Sequence, residues 1–224
     1  MNINSGFIKV ILPAFLLLIT GCISTSGIKN SHELEAVQVK EYQGEKLSSI
    51  TEFRENSIKG AQYVDQATYE LKITGLVKTP ASYTYEEVIA KYQNYTKVVT
   101  LDCVEGWSVK LLWEGVKVTD LINQATVLPE TKVVIFHAYD GYTTSLPLNY
   151  VQDKDLLLAF KMNGVTLPPD RGFPFQLVAE DKWGYKWIKW VTQIELSDNE
   201  NYKGYWERAG YSNDGSLDKP FFER

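Results

Sequence analysis

Lys97-Val98-Val99-Thr100-Leu101-Asp102-Cys103 is β-branched or apolar at most positions and predicts a strand that delivers Cys103 at its end. Val104-Glu105-Gly106-Trp107-Ser108 follows directly, and Thr119 to Ala125 then has the pattern of a short helix capped by Thr119. Strand, turn and helix therefore surround the cysteine of the chain body. Upstream, Tyr69-Glu70-Leu71-Lys72-Ile73 alternates apolar with polar residues between Thr68 and the breakers Gly75 and Pro80, as a half-buried strand does. Thr84, with Glu87 three residues later, forms a capping box for a short helix reaching Tyr92. Downstream, Lys132 to His137, Tyr142 to Leu148, Leu156 to Met162, Phe175 to Ala179 and Trp187 to Leu196 predict further strands, with Asp140-Gly141 and Asn163-Gly164 as turns. Strands outnumber helices, and no repeat or heptad interrupts the pattern. A single α+β domain with β dominant is the simplest architecture.

The chain has 224 residues, 44% hydrophobic and 23% charged, enough for a substantial core. Its net charge is -5, and no run of Lys and Arg forms the basic stripe that nucleic-acid binding needs, so DNA and RNA are not expected partners. The apolar run Val10 to Ile19 is ten residues long. A membrane-crossing helix needs roughly 20, so the run reads as a signal peptide behind a thin positive region at Lys9. Ile19-Thr20-Gly21-Cys22 resembles the lipobox of bacterial lipoproteins, where cleavage leaves Cys22 as a lipidated N-terminus. The alternative is a plain secretory signal with an incidental cysteine. Residues 1–21 are thus expected to be a leader, 22–49 a flexible tether rich in Ser, Lys, Glu and Gln, and 50–224 the folded domain. Without a second body cysteine, Cys103 has no intramolecular disulfide partner.

Several chemistries are excluded by composition. His32, in the expected tether, and His137, in a strand, cannot supply a multi-histidine metal site. HExxH, CxxC, CxxCH, GxGxxG, P-loop and GxSxG patterns are all missing from the sequence. Cys103 remains, either as a functional sulfur or as a buried inert thiol. Glu105, two residues on, points the same way on an extended chain, and is either a group acting beside the cysteine or an exposed carboxylate on the turn before Gly106. Trp107 and Trp113 read as core or pocket walls. On a strand, Lys186 and Lys189 occupy opposite faces, so only one can face a site. Lys189 shares its face with Trp187 and Val191.

Over Thr100 to Ser108, followed by Trp113-Glu114-Gly115-Val116, the chain resembles the sulfite oxidase family of molybdopterin-dependent oxidoreductases, especially the bacterial branch that includes the periplasmic methionine sulfoxide reductase catalytic subunit. The same resemblance includes Tyr69 to Pro80, Asn163-Gly164-Val165-Thr166-Leu167-Pro168 leading to Gly172-Phe173-Pro174, Trp183 to Trp190, and Gly204-Tyr205-Trp206. It implies the β-rich sulfite oxidase-type molybdopterin-binding fold and a molybdenum-molybdopterin cofactor. Cys103 matches the position whose thiolate binds molybdenum beside two dithiolene sulfurs, and Glu105 would act next to it or shuttle a proton. Trp187, Ile188 and Lys189 match the strip that holds the pterin and its terminal phosphate, with Lys189 as the phosphate contact. Arg171 and Gln176 stand where relatives place pterin contacts, although several relatives have Arg in place of Gln176. Arg54 and Asn56, in Phe53-Arg54-Glu55-Asn56-Ser57, resemble N-terminal cofactor contacts, and Ala138 lies near another. His137 itself is expected to be a strand histidine bonded to backbone.

The implied function is two-electron oxygen-atom transfer on a small sulfur or other oxo substrate by an extracytoplasmic enzyme, lipid-anchored to the bacterial membrane. With no haem motif in the chain, electrons would be exchanged with a separate partner, a membrane quinol-linked or haem protein. The alternative is a metal-free ligand-binding or scaffold lipoprotein that keeps the fold. Gln176 and a leader without arginine, the first Arg of the chain being Arg54, motivate that alternative. A thiol redox protein working through Cys103 alone is disfavoured, because no resolving cysteine is available.

Overall fold

A computed structural model describes residues 29–222. The leader and the lipobox cysteine Cys22 lie outside the described residues. The elements run α1 (Ser31–Leu34), β1 (Glu41–Tyr42), β2 (Glu45–Lys46), β3 (Leu71–Gly75), β4 (Ala81–Tyr83), α2 (Tyr85–Lys91), β5 (Asn94–Asp102), β6 (Ser108–Lys117) and α3 (Val118–Gln124). They continue with β7 (Val133–Ala138), β8 (Thr143–Pro147), α4 (Leu148–Asp153), β9 (Leu157–Met162), β10 (Val165–Thr166), β11 (Gln176–Val178) and β12 (Val191–Ser197). Short 3-10 turns occupy Pro169–Arg171, Gly184–Lys186 and Glu207–Ala209.

Two five-stranded sheets carry the domain. One has the order β10-β9-β6-β5 with β11 also paired to β9, and every pair in it is antiparallel. The other has the order β4-β3-β12-β7-β8, with β3 and β12 parallel and the rest antiparallel. One apolar cluster joins them, from Val99, Leu111, Trp113 and Phe160 of the first sheet to Ile73, Phe136, Leu146 and Ile194 of the second. This is the expected single, β-rich α+β domain.

The hairpin β5–β6 shows how sequence places the site. Along β5, Val99 and Leu101 alternate inward and are buried, and Cys103 continues the same alternation just past the strand. The turn closes when the Cys103 amide donates to Trp107 O at 2.9 Å and the Gly106 amide donates to Cys103 O at 3.0 Å. Gly106 has φ +87°, a conformation in which a side chain would be strained. The turn therefore holds Cys103 and Glu105 in fixed positions relative to the sheet.

The expected capping box is present: Thr84 accepts from the Glu87 amide and Glu87 accepts from the Thr84 amide, opening α2. The expected Thr119 cap is not. The α3 helix starts one residue earlier, at Val118, behind Lys117, with no side-chain cap bond. Burial of Val118, Leu121 and Ile122 holds this helix instead. The strand expected over Trp187 to Leu196 begins only at Val191, because a 3-10 turn precedes it and Trp190 adopts φ +57°. The expected flexible tether also differs over residues 29–49. There α1 and the β1–β2 hairpin dock through polar contacts: Ser31 Oγ donates to Asp170 at 2.6 Å, and the Asn163 amide donates to Gln38 Oε1 at 3.1 Å and to Ser48 O at 2.9 Å.

Residues 198–222 contain no strand of either sheet and are held by side chains. Lys182 Nζ donates to Asp214 Oδ1 at 2.7 Å and to Ser216 Oγ at 2.7 Å, and Lys219 pairs with the other Asp214 oxygen. Burial pushes the Asp214 carboxyl up, but the hydrogen bonds from Lys182, Lys219 and Ser216 outweigh it and hold the group well below the usual carboxylate range. A depressed folded-state value adds stability above the unfolded value, near pH 4, and that stability fades as pH falls further. The side chain is 36% exposed, so solvent screens the gain. Asp214→Asn is expected to cost about 1 kcal/mol near pH 7 and progressively less as pH falls below about 4, read as melting temperature against pH.

Candidate active site

A cavity of about 390 Å³ opens beside the Cys103 turn. Its walls are the segment from Phe53 to Ile58, the 3-10 turn at Arg171, the stretch from Gly184 to Trp190, Asp140 and Tyr142 of the β7–β8 turn, and the C-terminal rings Trp206 and Tyr211. That volume lies within the usual range for cofactor and ligand pockets.

Cys103 is 8% exposed, and its thiol reaches this cavity. Burial pushes the thiol pKa up, against smaller opposing hydrogen bonds from the Glu105 and Val104 backbone and from Asn56. The Asn56 amide nitrogen lies 3.8 Å from Cys103 Sγ and 3.1 Å from Glu105 Oε2. Trp107 Nε1 donates to the same Glu105 oxygen at 3.2 Å, and Arg54 stands 4.0 Å from it. Hydrogen bonds from Asn56 and Trp107, with the charge of Arg54, hold the Glu105 carboxyl below its ordinary range. The exposed carboxylate thus organises the cavity mouth.

Arg171 is buried and braces the Phe53 segment. Its Nε donates to Ile50 O at 2.8 Å, its Nη2 donates to Phe53 O at 2.9 Å, and its guanidinium lies 4.2 Å from the Phe53 ring centre. Lys189 lies over the Trp190 ring and pairs with Glu55 at 2.5 Å. Burial lowers the Lys189 pKa, and Glu55 partly restores it. Trp187 and Ile188 line the cavity beside it, with the Trp187 indole donating to Lys182 O at 2.8 Å. Gln176, on β11, is 4% exposed and lines the cavity, and its side-chain amide makes no hydrogen bond among the described residues. Its amide atoms are open to the cavity, where a ligand or water can meet them.

The structure therefore brings together Cys103, Glu105, Arg54, Asn56, Arg171, Gln176, Trp187, Ile188 and Lys189. Ala138 is not on the cavity wall. It is buried in β7 with its amide donating to Tyr142 O, and its neighbours Asp140 and Tyr142 reach the cavity instead. Of the two lysines, Lys189 lines the cavity and Lys186 does not, but strand alternation is not the cause. Lys186 is fully buried against Glu207, while an irregular backbone rather than strand alternation aims Lys189 at the cavity. Trp107 lines the cavity and Trp113 is core, its indole donating to Val99 O at 3.2 Å. His137 pairs with the Glu195 carboxylate at 2.8 Å, not with backbone. Sequence reasoning missed Glu55, Asp170, Trp206 and Tyr211. The first two carry no local signal, because each matters only through a cation contributed by folding.

A buried thiol, the cations Arg171 and Lys189 and the amide of Gln176 meet at one cavity on two antiparallel-rich sheets, a lining suited to a polar cofactor. The chain belongs to the family described as the oxidoreductase molybdopterin binding domain, whose model matches residues 58–206. It is similar to the oxidoreductase YuiH of Bacillus subtilis, 37% identical over 66% of this chain and 75% of that protein. It is also similar to the protein-methionine-sulfoxide reductase catalytic subunit MsrP of Gluconobacter oxydans, 30% identical over 59% of this chain and 48% of that one. Among solved structures, the sulfane dehydrogenase SoxCD from Paracoccus pantotrophus superposes with a TM-score of 0.61 at 26% identity, covering 67% of this chain and 42% of that chain. The chain thus spans about half the length of the latter two. The fold is the sulfite oxidase-type molybdopterin-binding fold, and the family is one of redox-active molybdopterin enzymes.

The residues present fit that cofactor class. Among the described residues no group of three His, Cys, Asp or Glu side chains could hold a metal ion. A single sulfur therefore suits a metal that brings its remaining ligands with it. Gln176 and Lys189, both on the cavity wall, offer polar contacts to a hydrogen-bonding organic group.

Proposed function

We propose that this protein catalyses two-electron oxygen-atom transfer on a neutral sulfur or other oxo compound, with Cys103 as the protein ligand of a molybdenum-molybdopterin cofactor. When bound, the cofactor supplies the site of two-electron exchange with the substrate oxygen. Cys103 contributes a soft sulfur once it has given up its proton, which a metal cation promotes against the effect of burial. Gln176, Trp187, Ile188 and Lys189 would bind the organic part of the cofactor. Asn56 bridges Cys103 and Glu105, so Glu105 orients the amide nearest the thiol. Arg171 acts by bracing the Phe53 segment, not by facing ligand with a free guanidinium.

The pairing of the two buried lining cations, Arg171 and Lys189, carries the proposal of a neutral substrate. Arg54, Arg171 and Lys189 are the cations on the cavity wall, and they stand 4.0, 3.4 and 2.5 Å from Glu105, Asp170 and Glu55 respectively. Among the described residues no buried cation on the wall lacks a carboxylate partner to meet a small oxoanion, and Asp140 adds a further carboxylate. In the reductive direction a sulfoxide S–O bond breaks, two electrons and two protons enter, and a thioether and water leave. The name of the Gluconobacter relative is consistent with such a substrate. Electrons would come from a separate redox partner, a membrane quinol-linked or haem protein. Lipidation at Cys22, read from sequence alone, would keep the enzyme at the extracytoplasmic membrane face beside that partner. No described helix is long and apolar enough to cross a membrane.

With the holoenzyme and a reduced viologen as electron donor, dimethyl sulfoxide or methionine sulfoxide is expected to be reduced with kcat/KM at least ~10-fold above that for nitrate, a difference of ~1.4 kcal/mol. A preference for nitrate, or for sulfite oxidation, would contradict a neutral substrate. Native protein that carries no metal and is inactive on all three would favour the metal-free ligand-binding alternative.

A further inference from the structure

Behind the cavity lies a fully buried ion pair that takes no part in the chemistry above. Lys186 and Glu207 are both 0% exposed at their side chains, and Lys186 Nζ donates to Glu207 Oε1 at 2.6 Å and to Ser145 O at 3.1 Å. Thr144 Oγ1 donates to the same carboxylate oxygen at 2.7 Å. Glu207 Oε2 has no hydrogen-bond partner among the described residues. Burying two charges is costly, and a partly satisfied pair is weak as a stabiliser, so general stability is a poor explanation for it.

The location of the pair offers a better one. Residues 202–207 run along β8 without joining the sheet. Ser145 Oγ donates to Tyr202 O at 3.3 Å, and the Tyr205 amide donates to Thr143 O at 2.9 Å. Gly204 permits this approach, because a Cβ there would lie 2.2 Å from Thr143 O. Glu207 opens the 3-10 turn that follows, so the salt bridge fixes the rotation of the turn about the β8 edge. Trp206, one residue earlier, lines the cavity while 38% exposed, and Tyr211 joins it with ring centres 5.3 Å apart. Tyr211 in turn meets Tyr185 edge-on at 5.1 Å. The buried charge pair thus anchors the turn that carries one aromatic wall of the cavity, Trp206, and through it the ring of Tyr211.

We propose that Lys186 and Glu207 are positioning residues for substrate specificity, holding Trp206 and Tyr211 as the wall against which the apolar part of a bulky oxo substrate packs. This rests on the oxygen-transfer reading of the same cavity. A small substrate does not reach the wall, whereas an aryl or long-chain substrate gains contact area from it. Loosening the pair should therefore weaken binding of bulky substrates without changing the reacting centre.

The test compares dimethyl sulfoxide with methyl phenyl sulfoxide on metal-loaded holoenzyme. Glu207→Gln is expected to raise KM for methyl phenyl sulfoxide ~10-fold, with kcat within ~2-fold and KM for dimethyl sulfoxide within ~2-fold. Trp206→Ala removes the wall while leaving the pair, and is expected to lower the kcat/KM ratio of the aryl to the methyl substrate by ~10-fold or more. Equal changes for both substrates, a fall in kcat alone, or an unchanged ratio in Trp206→Ala would overturn the proposal. If the wild type reduces neither sulfoxide, the oxygen-transfer reading fails, and the positioning is read separately by trypsin. Cleavage at the exposed Lys203 and Arg208 should then be at least ~10-fold faster in folded Glu207→Gln, since local opening sets the rate. Unchanged cleavage would show that the pair does not hold the segment.

Discussion

Cys103→Ser is expected to lower oxygen-atom transfer by ~10³-fold or more, beyond the ~10–100-fold typical of losing a group one step removed from a metal. A serine hydroxyl is a hard donor that stays protonated, so it cannot replace a soft thiolate toward a redox metal. The substitution is nearly isosteric, and the position touches the cavity, where Asn56 is near enough to meet a hydroxyl. The fold should therefore survive with a loss of about 1 kcal/mol. Activity by viologen oxidation and melting by circular dichroism separate the two effects. Cys103→Ser with near-normal turnover would return Cys103 to the status of an inert core thiol.

The second large effect is expected at Lys186. Lys186→Met removes the cation paired with a carboxylate that is 0% exposed, leaving Thr144 as the side-chain donor to that carboxylate among the described residues. Removing one partner of a buried pair costs ~3–5 kcal/mol, because the remaining charge is uncompensated. For a domain of this size that corresponds to a fall in melting temperature of roughly 10 °C or more. Replacing both partners, Lys186→Met with Glu207→Leu, removes the orphaned charge and should regain most of the loss. Equal destabilisation of single and double variants would place the cost in lost packing or in the Ser145 and Thr144 contacts, not in charge.

The features legible in the sequence are those whose cause is local. The β5 strand declares itself by composition, and Cys103 follows by its parity with Val99 and Leu101. The α2 cap is written in Thr84 and Glu87. Where tertiary contacts decide, local pattern misleads. Trp187 to Trp190 mimics strand alternation because its large side chains serve a core on one side and a cavity on the other, while the backbone turns. Residues 29–49 look like a linker because they dock through Ser31, Gln38 and Ser48, whose polar bonds leave no apolar period to detect. The cavity electrostatics were likewise hidden. Lys189 and Arg171 are visible as cations, but Glu55 lies 134 residues from the lysine it neutralises, and no window of sequence joins them. Trp206 is noticeable as part of Gly204-Tyr205-Trp206, yet its place on the cavity wall is set by the folding of residues 202–207 along β8, which no local pattern announces.

The central claim is that the Cys103 cavity takes a molybdopterin-bound metal. Plasma mass spectrometry of the protein purified from its native envelope tests it most directly, with Cys103→Ser purified alongside. The account predicts about one molybdenum or tungsten atom per chain in the native protein and almost none in the variant. Metal-free native protein, or equal metal in both, would contradict it.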